Sequence, residues 1–97
     1  MIERKVTCVI VDDPGDDPCC VRTLGLTNPS QRVTREEAWG LITNHNQQLY
    51  VEAYVPAVGT YVKAYLEPRT TANGTRYVRT EANGHEETNL LNQPKCR

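Results

Sequence analysis

Residues 49–66 read LYVEAYVPAVGTYVKAYL, and this stretch decides the fold. Apolar and polar side chains alternate over 49–55 and again over 60–66, which is typical of strands that bury one face. The intervening Pro-Ala-Val-Gly sequence is typical of a turn. We therefore predict a β-hairpin. Its core face is expected to carry Val51, Ala53, Val55, Val62, Ala64 and Leu66.

Three segments outside the hairpin also predict strands. Residues 5–11 are rich in β-branched side chains and form a run too short for a helix. A second, shorter strand over 20–26 is expected to run antiparallel to the first. Residues 75–80 lie between two Asn-Gly turns and predict the last strand.

A single helix is predicted between these strands. Thr34 and Glu37 have the spacing of a capping box, in which each side chain accepts a hydrogen bond from the other residue's backbone. A helix over 35–44 follows, with its apolar residues on one face. The order β-β-α-β-β-β predicts an α+β domain, an antiparallel sheet of about five strands with one helix packed on one face.

Length and charge limit the class of protein. The 97 residues suffice for one domain, residues 1–97, with a modest core. A formal net charge of −1 argues against a sequence-wide attraction to nucleic acid or anionic membranes. No apolar run approaches the roughly 20 residues that span a bilayer. Residues 1–5 lead into a strand rather than a signal-peptide core, so we expect a cytoplasmic protein without membrane contact.

The tyrosines form the first candidate site. Those of the predicted hairpin point away from its core, and one register of the last strand adds Tyr77 and Arg79 beside Lys63. The candidate binding residues are Tyr50, Tyr54, Tyr61, Lys63, Tyr65, Tyr77 and Arg79. Aromatic rings interleaved with cations can stack nucleotide bases, at about 1–3 kcal/mol per base. Tyrosine is also a favourable cross-strand partner on a half-exposed face, and this structural interpretation is the stronger one.

The segment over 12–20, DDPGDDPCC, predicts an acidic loop. Its carboxylates belong to Asp12, Asp13, Asp16 and Asp17. They could present charge to a basic partner protein, but their spacing is not that of an EF-hand, so no metal site is predicted. Neither histidine is tied by sequence to a nucleophile, and glycine-rich phosphate loops are absent. We therefore predict no enzyme and no cofactor.

Four cysteines raise a separate question. In a cytoplasmic protein, free, metal-bound or redox-active thiols are expected more than structural disulfides. A zinc knuckle needs ligands two to four residues apart, which the adjacent Cys19 and Cys20 do not provide. Cys8 alternates with Val6 and Ile10, and is interpreted as a small buried residue. A disulfide or redox pair of Cys8 and Cys96 is the second interpretation, and a metal site is the third.

Residues 89–97 predict a C-terminal tail docked on the domain. Leu90 and Leu91 would anchor it, while Pro94 limits its conformational freedom. If the tail returns beside the first strand, Cys96 approaches Cys8. In the alternative, the two leucines are exposed and recruit a partner.

Five segments in order resemble a small bacterial and phage family of unknown function, the domain of unknown function 3892. They are VTCV at 6–9, EEA at 36–38 with Ile42, RYVRT at 76–80, NLL at 89–91, and Pro94 with Cys96. The resemblance covers the whole chain and implies a common fold, with Cys8 and Cys96 as a recurring pair. It implies no activity. The chain departs from the family pattern over 12–20 and at 24–26, where a Gly-Gly is more usual.

Together these observations favour a small non-enzymatic binding module in a bacterial or phage setting. A partner protein is its first candidate ligand. A nucleotide or other small ligand captured by the tyrosine-bearing face is the second. A thiol redox or zinc-binding module is the third.

Overall fold

The protein is described from a computed structural model that covers residues 2–11, 21–27, 30–81 and 84–96. The predicted acidic loop, with its four aspartates and with Cys19 and Cys20, lies outside the described residues. No helix in the described part is long and apolar enough to cross a membrane.

Six strands and one α-helix make up most of the described chain. The strands are β1 (Glu3–Val11), β2 (Val21–Leu26), β3 (Gln31–Thr34), β4 (Gln48–Val55), β5 (Thr60–Thr70) and β6 (Arg76–Thr80). The helix is α1 (Arg35–Thr43), between β3 and β4. Two short 3₁₀ turns, Glu86–Thr88 and Leu90–Asn92, follow β6.

The strands form one mixed sheet in the order β3-β2-β1-β4-β5-β6, curved into a half-barrel around the helix side. The α+β class with one helix is confirmed, but the prediction of about five antiparallel strands is wrong in two respects. The short strand β3 adds a sixth member. The central pair, β1 and β4, is parallel because α1 acts as a crossover that returns the chain beside β1.

The capping box at the start of α1 is confirmed. Glu37 N–H donates to Thr34 Oγ1 at 3.1 Å, and Thr34 N–H donates to Glu37 Oε1 at 3.0 Å. Ala38 is fully buried, and Trp39, Leu41 and Ile42 pack on the edge of the core. The Arg76 guanidinium lies 4.5 Å from the centre of the Trp39 ring, so a cation–π contact joins α1 to β6.

The β4–β5 hairpin has the predicted register and orientation. Val51 pairs with Ala64, and both are buried on the helix side with Val55 and Leu66. Ala53 and Val62, nearer the turn, are only half-buried. Val58 and Gly59 N–H both donate to the Val55 carbonyl, and Gly59 has a φ of 81°, which favours glycine at this position.

A bulge in β1 reverses the orientation expected for Cys8. The pairing with β2 shifts between Val6, opposite Leu26, and Cys8, opposite Gly25. As a result both Val6 and Val9 are buried in the core, although they are three residues apart. The interpretation of Cys8 as a core residue was wrong, since its side chain lies on the outer face, away from α1.

The C-terminal residues 84–96, here called the strap, complete the sheet. β1 pairs with β4 only over its first residues, from Glu3 to Lys5. Farther along β1, the strap supplies the missing partners: Val9 N–H donates to the Pro94 carbonyl at 2.8 Å, and Cys96 N–H donates to the Val9 carbonyl at 3.0 Å. The strap is therefore part of the folded unit.

The strap also closes the core. Leu90 is completely buried, as is Thr88 within the first 3₁₀ turn. Gln93 is buried as well, and its Nε2 donates to the carbonyls of Glu87 and Asn89 at 3.2 and 2.9 Å. Because these polar groups are paired inside the strap, the strap can cross apolar surface without an unsatisfied donor.

A disulfide joins the end of the strap to β1. Cys8 and Cys96 are bonded, with their Cα atoms 4.9 Å apart. The expectation that free thiols would be preferred was therefore wrong for this pair. The reason lies in the bulge and in the strap, which bring residues 88 positions apart in sequence onto one outer surface.

Leu90→Ala is expected to lower the free energy of unfolding by about 2–5 kcal/mol, because it leaves a cavity in the core. Leu91→Ala is the matched control and should cost less, since Leu91 is only partly buried. Urea unfolding of both variants measures the difference. Equal losses would show that Leu90 does not anchor the strap.

Gly25→Ala is expected to destabilise the protein by roughly 1–3 kcal/mol through overpacking. A Cβ at this position would lie 2.5 Å from Cys8 Sγ, which is closer than the sulfur can tolerate. Gly40→Ala is the control, because its Cβ would meet nothing nearer than Asn44 Nδ2 at 3.7 Å. It should stabilise α1 by up to about 1 kcal/mol. Thermal unfolding that ranks the two variants in the opposite order would contradict this packing.

Candidate functional site

The tyrosine face is the surface of the sheet opposite α1 that carries the four hairpin tyrosines. The register of β4 and β5 places Tyr50 opposite Tyr65 and Tyr54 opposite Tyr61. Glu52 and Lys63 form the pair between them. Side chains alternate along a strand, so these residues lie on one face while Val51 and Ala64 lie on the other.

The half of the tyrosine face nearer β1 is an internally bonded cluster. The Tyr50 and Tyr65 rings are tilted by 59°, with centroids 6.2 Å apart. Lys63 Nζ lies 4.6 Å from the Tyr50 centroid and 4.0 Å from Glu3 Oε1. The Tyr65 hydroxyl donates to the same Glu3 oxygen at 3.1 Å. These four residues, the Glu3 cluster, mainly satisfy one another.

The position of Glu3 was not predicted. Glu3 lies on β1, two residues before the strand predicted from sequence, and it reaches the tyrosines only because β1 runs parallel beside β4. Pairing between strands so far apart in sequence leaves no local pattern. The clue that was present is that Glu3 and Lys5 share one parity, on the side opposite the buried Arg4.

The hydrogen bond to Glu3 raises the pKa of the Tyr65 phenol, and desolvation and the negative charge of Glu3 raise it further. The charge of Lys63 acts in the opposite direction. The cause is that the neutral phenol donates to the carboxylate, whereas a phenolate would face a second negative charge.

The other half of the tyrosine face is exposed. The Tyr54 and Tyr61 rings meet edge to face, with centroids 5.6 Å apart and planes inclined by 68°. Tyr54 is 51% exposed and Tyr61 is 65% exposed. Val58, in the turn that joins their strands, is also 51% exposed. We call Tyr54 and Tyr61 the outer aromatic pair.

Tyr77 and Arg79 lie on the same face but apart from the hairpin tyrosines. In β6, Tyr77 pairs with Arg69 and Arg79 pairs with Glu67, while Arg69 itself bonds Glu67 at 2.6 Å. The expectation that Arg79 joins Lys63 was wrong. β6 runs beside the second half of β5, four residues or about 13 Å beyond that position.

The described residues outside this face offer two open depressions. One, of about 240 Å³, lies between β3 and α1 and includes His45 and Glu37. The other, of about 370 Å³, lies beside Cys8 on the outer face. Within the described ranges, no three His, Cys, Asp or Glu side chains are grouped as metal ligands.

Tyr65→Phe is expected to weaken the loss of stability at alkaline pH. Because the pKa of Tyr65 is raised in the folded protein, its contribution is fully present below the ordinary phenol pKa of about 10 and is lost as the pH rises through the folded value. Urea midpoints between about pH 8 and 11 measure the effect.

Tyr61→Phe is the control for this experiment, since it also removes one phenol but keeps the hydrogen bond between Tyr65 and Glu3. Its pH profile should follow that of the wild type. If Tyr65→Phe has the same profile as well, the hydrogen bond to Glu3 does not couple ionisation to folding.

Comparison with known proteins identifies the family but no activity. No curated protein and no solved structure matches this chain. The model of a family described as "protein of unknown function" (DUF3892) matches residues 5–94, which include all six strands except their first two residues, the helix and most of the strap. With so much of its length matched, the chain belongs to the DUF3892 family.

Proposed function

We propose that this protein is a non-enzymatic module that binds a partner protein through the turn end of the β4–β5 hairpin. The outer aromatic pair carries this proposal. The large apolar side chains that are exposed in the described residues are Ile2, Tyr54, Val58 and Tyr61, and three of these four lie at this end of the hairpin. Tyrosine is enriched among the residues that contribute most to protein interfaces.

The outer aromatic pair is well suited to such a contact because its position is set before binding. Tyr54 and Tyr61 project from directly paired positions of a hydrogen-bonded hairpin. Their edge-to-face contact is of the kind worth about 0.5–1.5 kcal/mol beyond area burial. A tyrosine has only two side-chain torsions to order, so little entropy is lost when a partner covers it.

A nucleotide or another planar ligand is the weaker candidate. Two rings that sandwich a base must be parallel and about 7 Å apart, twice the optimal carbon–carbon separation. Both pairs of the tyrosine face are tilted and closer together, at 6.2 and 5.6 Å. Lys63 is also turned toward Tyr50 and Glu3, so its charge is partly compensated.

The other expected roles enter this proposal differently. Zinc binding is not supported by Cys8 and Cys96, which are joined to each other rather than present as thiolates. The acidic loop, Asp12 to Asp17, stays a predicted second contact for a basic partner. The proposal also keeps the cytoplasmic location and the bacterial or phage setting, which fractionation of the native host would test.

The test is a comparison of tyrosine variants in affinity capture followed by binding to the purified partner. Tyr61→Ala and Tyr54→Ala should each weaken binding about 30-fold, the equivalent of a 2 kcal/mol hot spot. Their melting temperatures should change little, because both side chains are largely exposed.

Tyr77→Ala is the matched control, since it removes the same side chain from the same sheet face but beyond the outer aromatic pair. It should bind as the wild type does. If Tyr61→Ala and Tyr77→Ala both retain full affinity for every captured protein, the hairpin end is not the binding surface.

A further inference from the structure

The disulfide lies beside an open depression on the outer face of the sheet. The depression has a volume of about 370 Å³, and its lining includes Cys8 but not Cys96. The rest of its lining consists of Thr7, Gly25, Leu26, Ser30, Gln31 and Arg32. Four of these residues are exposed polar or charged residues, so the depression is open to water on one side and to the disulfide on the other.

Gly25 leaves one sulfur accessible. Opposite Cys8 on β2, it has no side chain, and a Cβ there would lie 2.5 Å from Cys8 Sγ and 3.6 Å from Cys96 Sγ. Cys96 approaches Cys8 from the other edge of β1, where the strap bonds Val9. The open depression and the Cys96 sulfur are thus on opposite sides of Cys8.

This arrangement matters because disulfides are exchanged by a thiolate that attacks one sulfur while the other leaves. A nucleophile that enters from the depression meets Cys8 Sγ first, with Cys96 Sγ behind it. We propose that Cys8 is a site of thiol–disulfide exchange with small anionic thiols, and that Cys96 is the leaving group.

The reaction balances without a further reagent. A thiolate RS⁻ attacks Cys8 Sγ, an S–S bond forms between R and Cys8, and the Cys8–Cys96 bond breaks. Cys96 leaves as a thiolate and takes a proton from solvent. A second RS⁻ can then attack the sulfur of R in the mixed disulfide, which yields RSSR and the Cys8 thiolate, so that two thiols are oxidised as the protein disulfide is reduced.

The lining favours a small anionic thiol over a bulky or cationic one. The volume is that of a shallow depression rather than a protein-sized groove, and Thr7, Ser30 and Gln31 offer hydrogen-bonding groups. Arg32 adds a positive charge to the described lining. Glutathione, with two carboxylates, matches this chemistry and serves as the probe.

Exchange would release the end of the strap without opening the core. Once the bond to Cys96 is broken, residues 94–96 keep only the backbone hydrogen bonds to Val9 noted above. Leu90 and Thr88 remain buried upstream. The structure therefore combines a reactive bond with a segment that can detach locally.

The test treats the oxidised full chain with glutathione, using wild type and a Cys19→Ser/Cys20→Ser variant that prevents disulfide shuffling. Products are trapped by alkylation and mapped by peptide mass. The mixed disulfide should form at Cys8, with Cys96 alkylated. A mixed disulfide found mainly at Cys96 would overturn the proposal.

The dependence on urea separates attack on the folded protein from attack after unfolding. Below the unfolding transition, the exchange rate should stay constant. If exchange required global unfolding, the rate would rise at least about fivefold per molar urea, and that rise would refute the proposal. Hydrogen exchange of the adduct should show lost protection confined to the end of the strap.

Charge variants test the route of entry. Arg32→Glu should slow exchange with glutathione and accelerate exchange with cationic cysteamine, each by up to about fivefold. Arg69→Glu, a matched charge reversal on β5, should change neither rate. Equal effects of the two variants on both probes would show that the thiol does not enter through the depression.

Discussion

The hydrogen-bonding demand of one strand edge governs this fold. β4 pairs with β1 only as far as Lys5, so the buried Val9 would keep an unpaired N–H and carbonyl if the chain ended at β6. An unpaired buried backbone group costs about as much as a lost hydrogen bond. Pro94 and Cys96 supply both partners. The burial of Leu90 and the disulfide to Cys8 follow from the path that the strap takes to reach Val9.

Local pattern predicted the elements whose cause is local. The hairpin over 49–66 and the capping box at Thr34 were recognisable because alternation and side-chain spacing act within a few residues. The parallel β1–β4 pair, the β1 bulge and the four-residue strand β3 could not be read in this way. Each depends on contacts between segments far apart in sequence, and a single shift in register moves a side chain to the opposite face.

The same division applies to the candidate site. That four tyrosines share a face follows from strand alternation, and so it could be predicted. The attachment of Tyr65 to Glu3 and the separation of Arg79 from Lys63 depend on which strands become neighbours. The outer surface of the sheet thus carries two distinct chemistries, an exposed aromatic pair at the hairpin end and a disulfide near β2, while α1 and the strap cover the inner surface.

The strap also has a consequence for biosynthesis. During translation, β1 emerges from the ribosome long before its last partner, since the Cys8–Cys96 contact spans 88 positions. Until Leu90 has emerged, the core lacks one of its completely buried side chains. Contacts of such long sequence separation also slow folding. The nascent chain therefore exposes an unfinished strand edge beside an incomplete core, which is the condition in which chaperone binding or mispairing with other chains competes with folding.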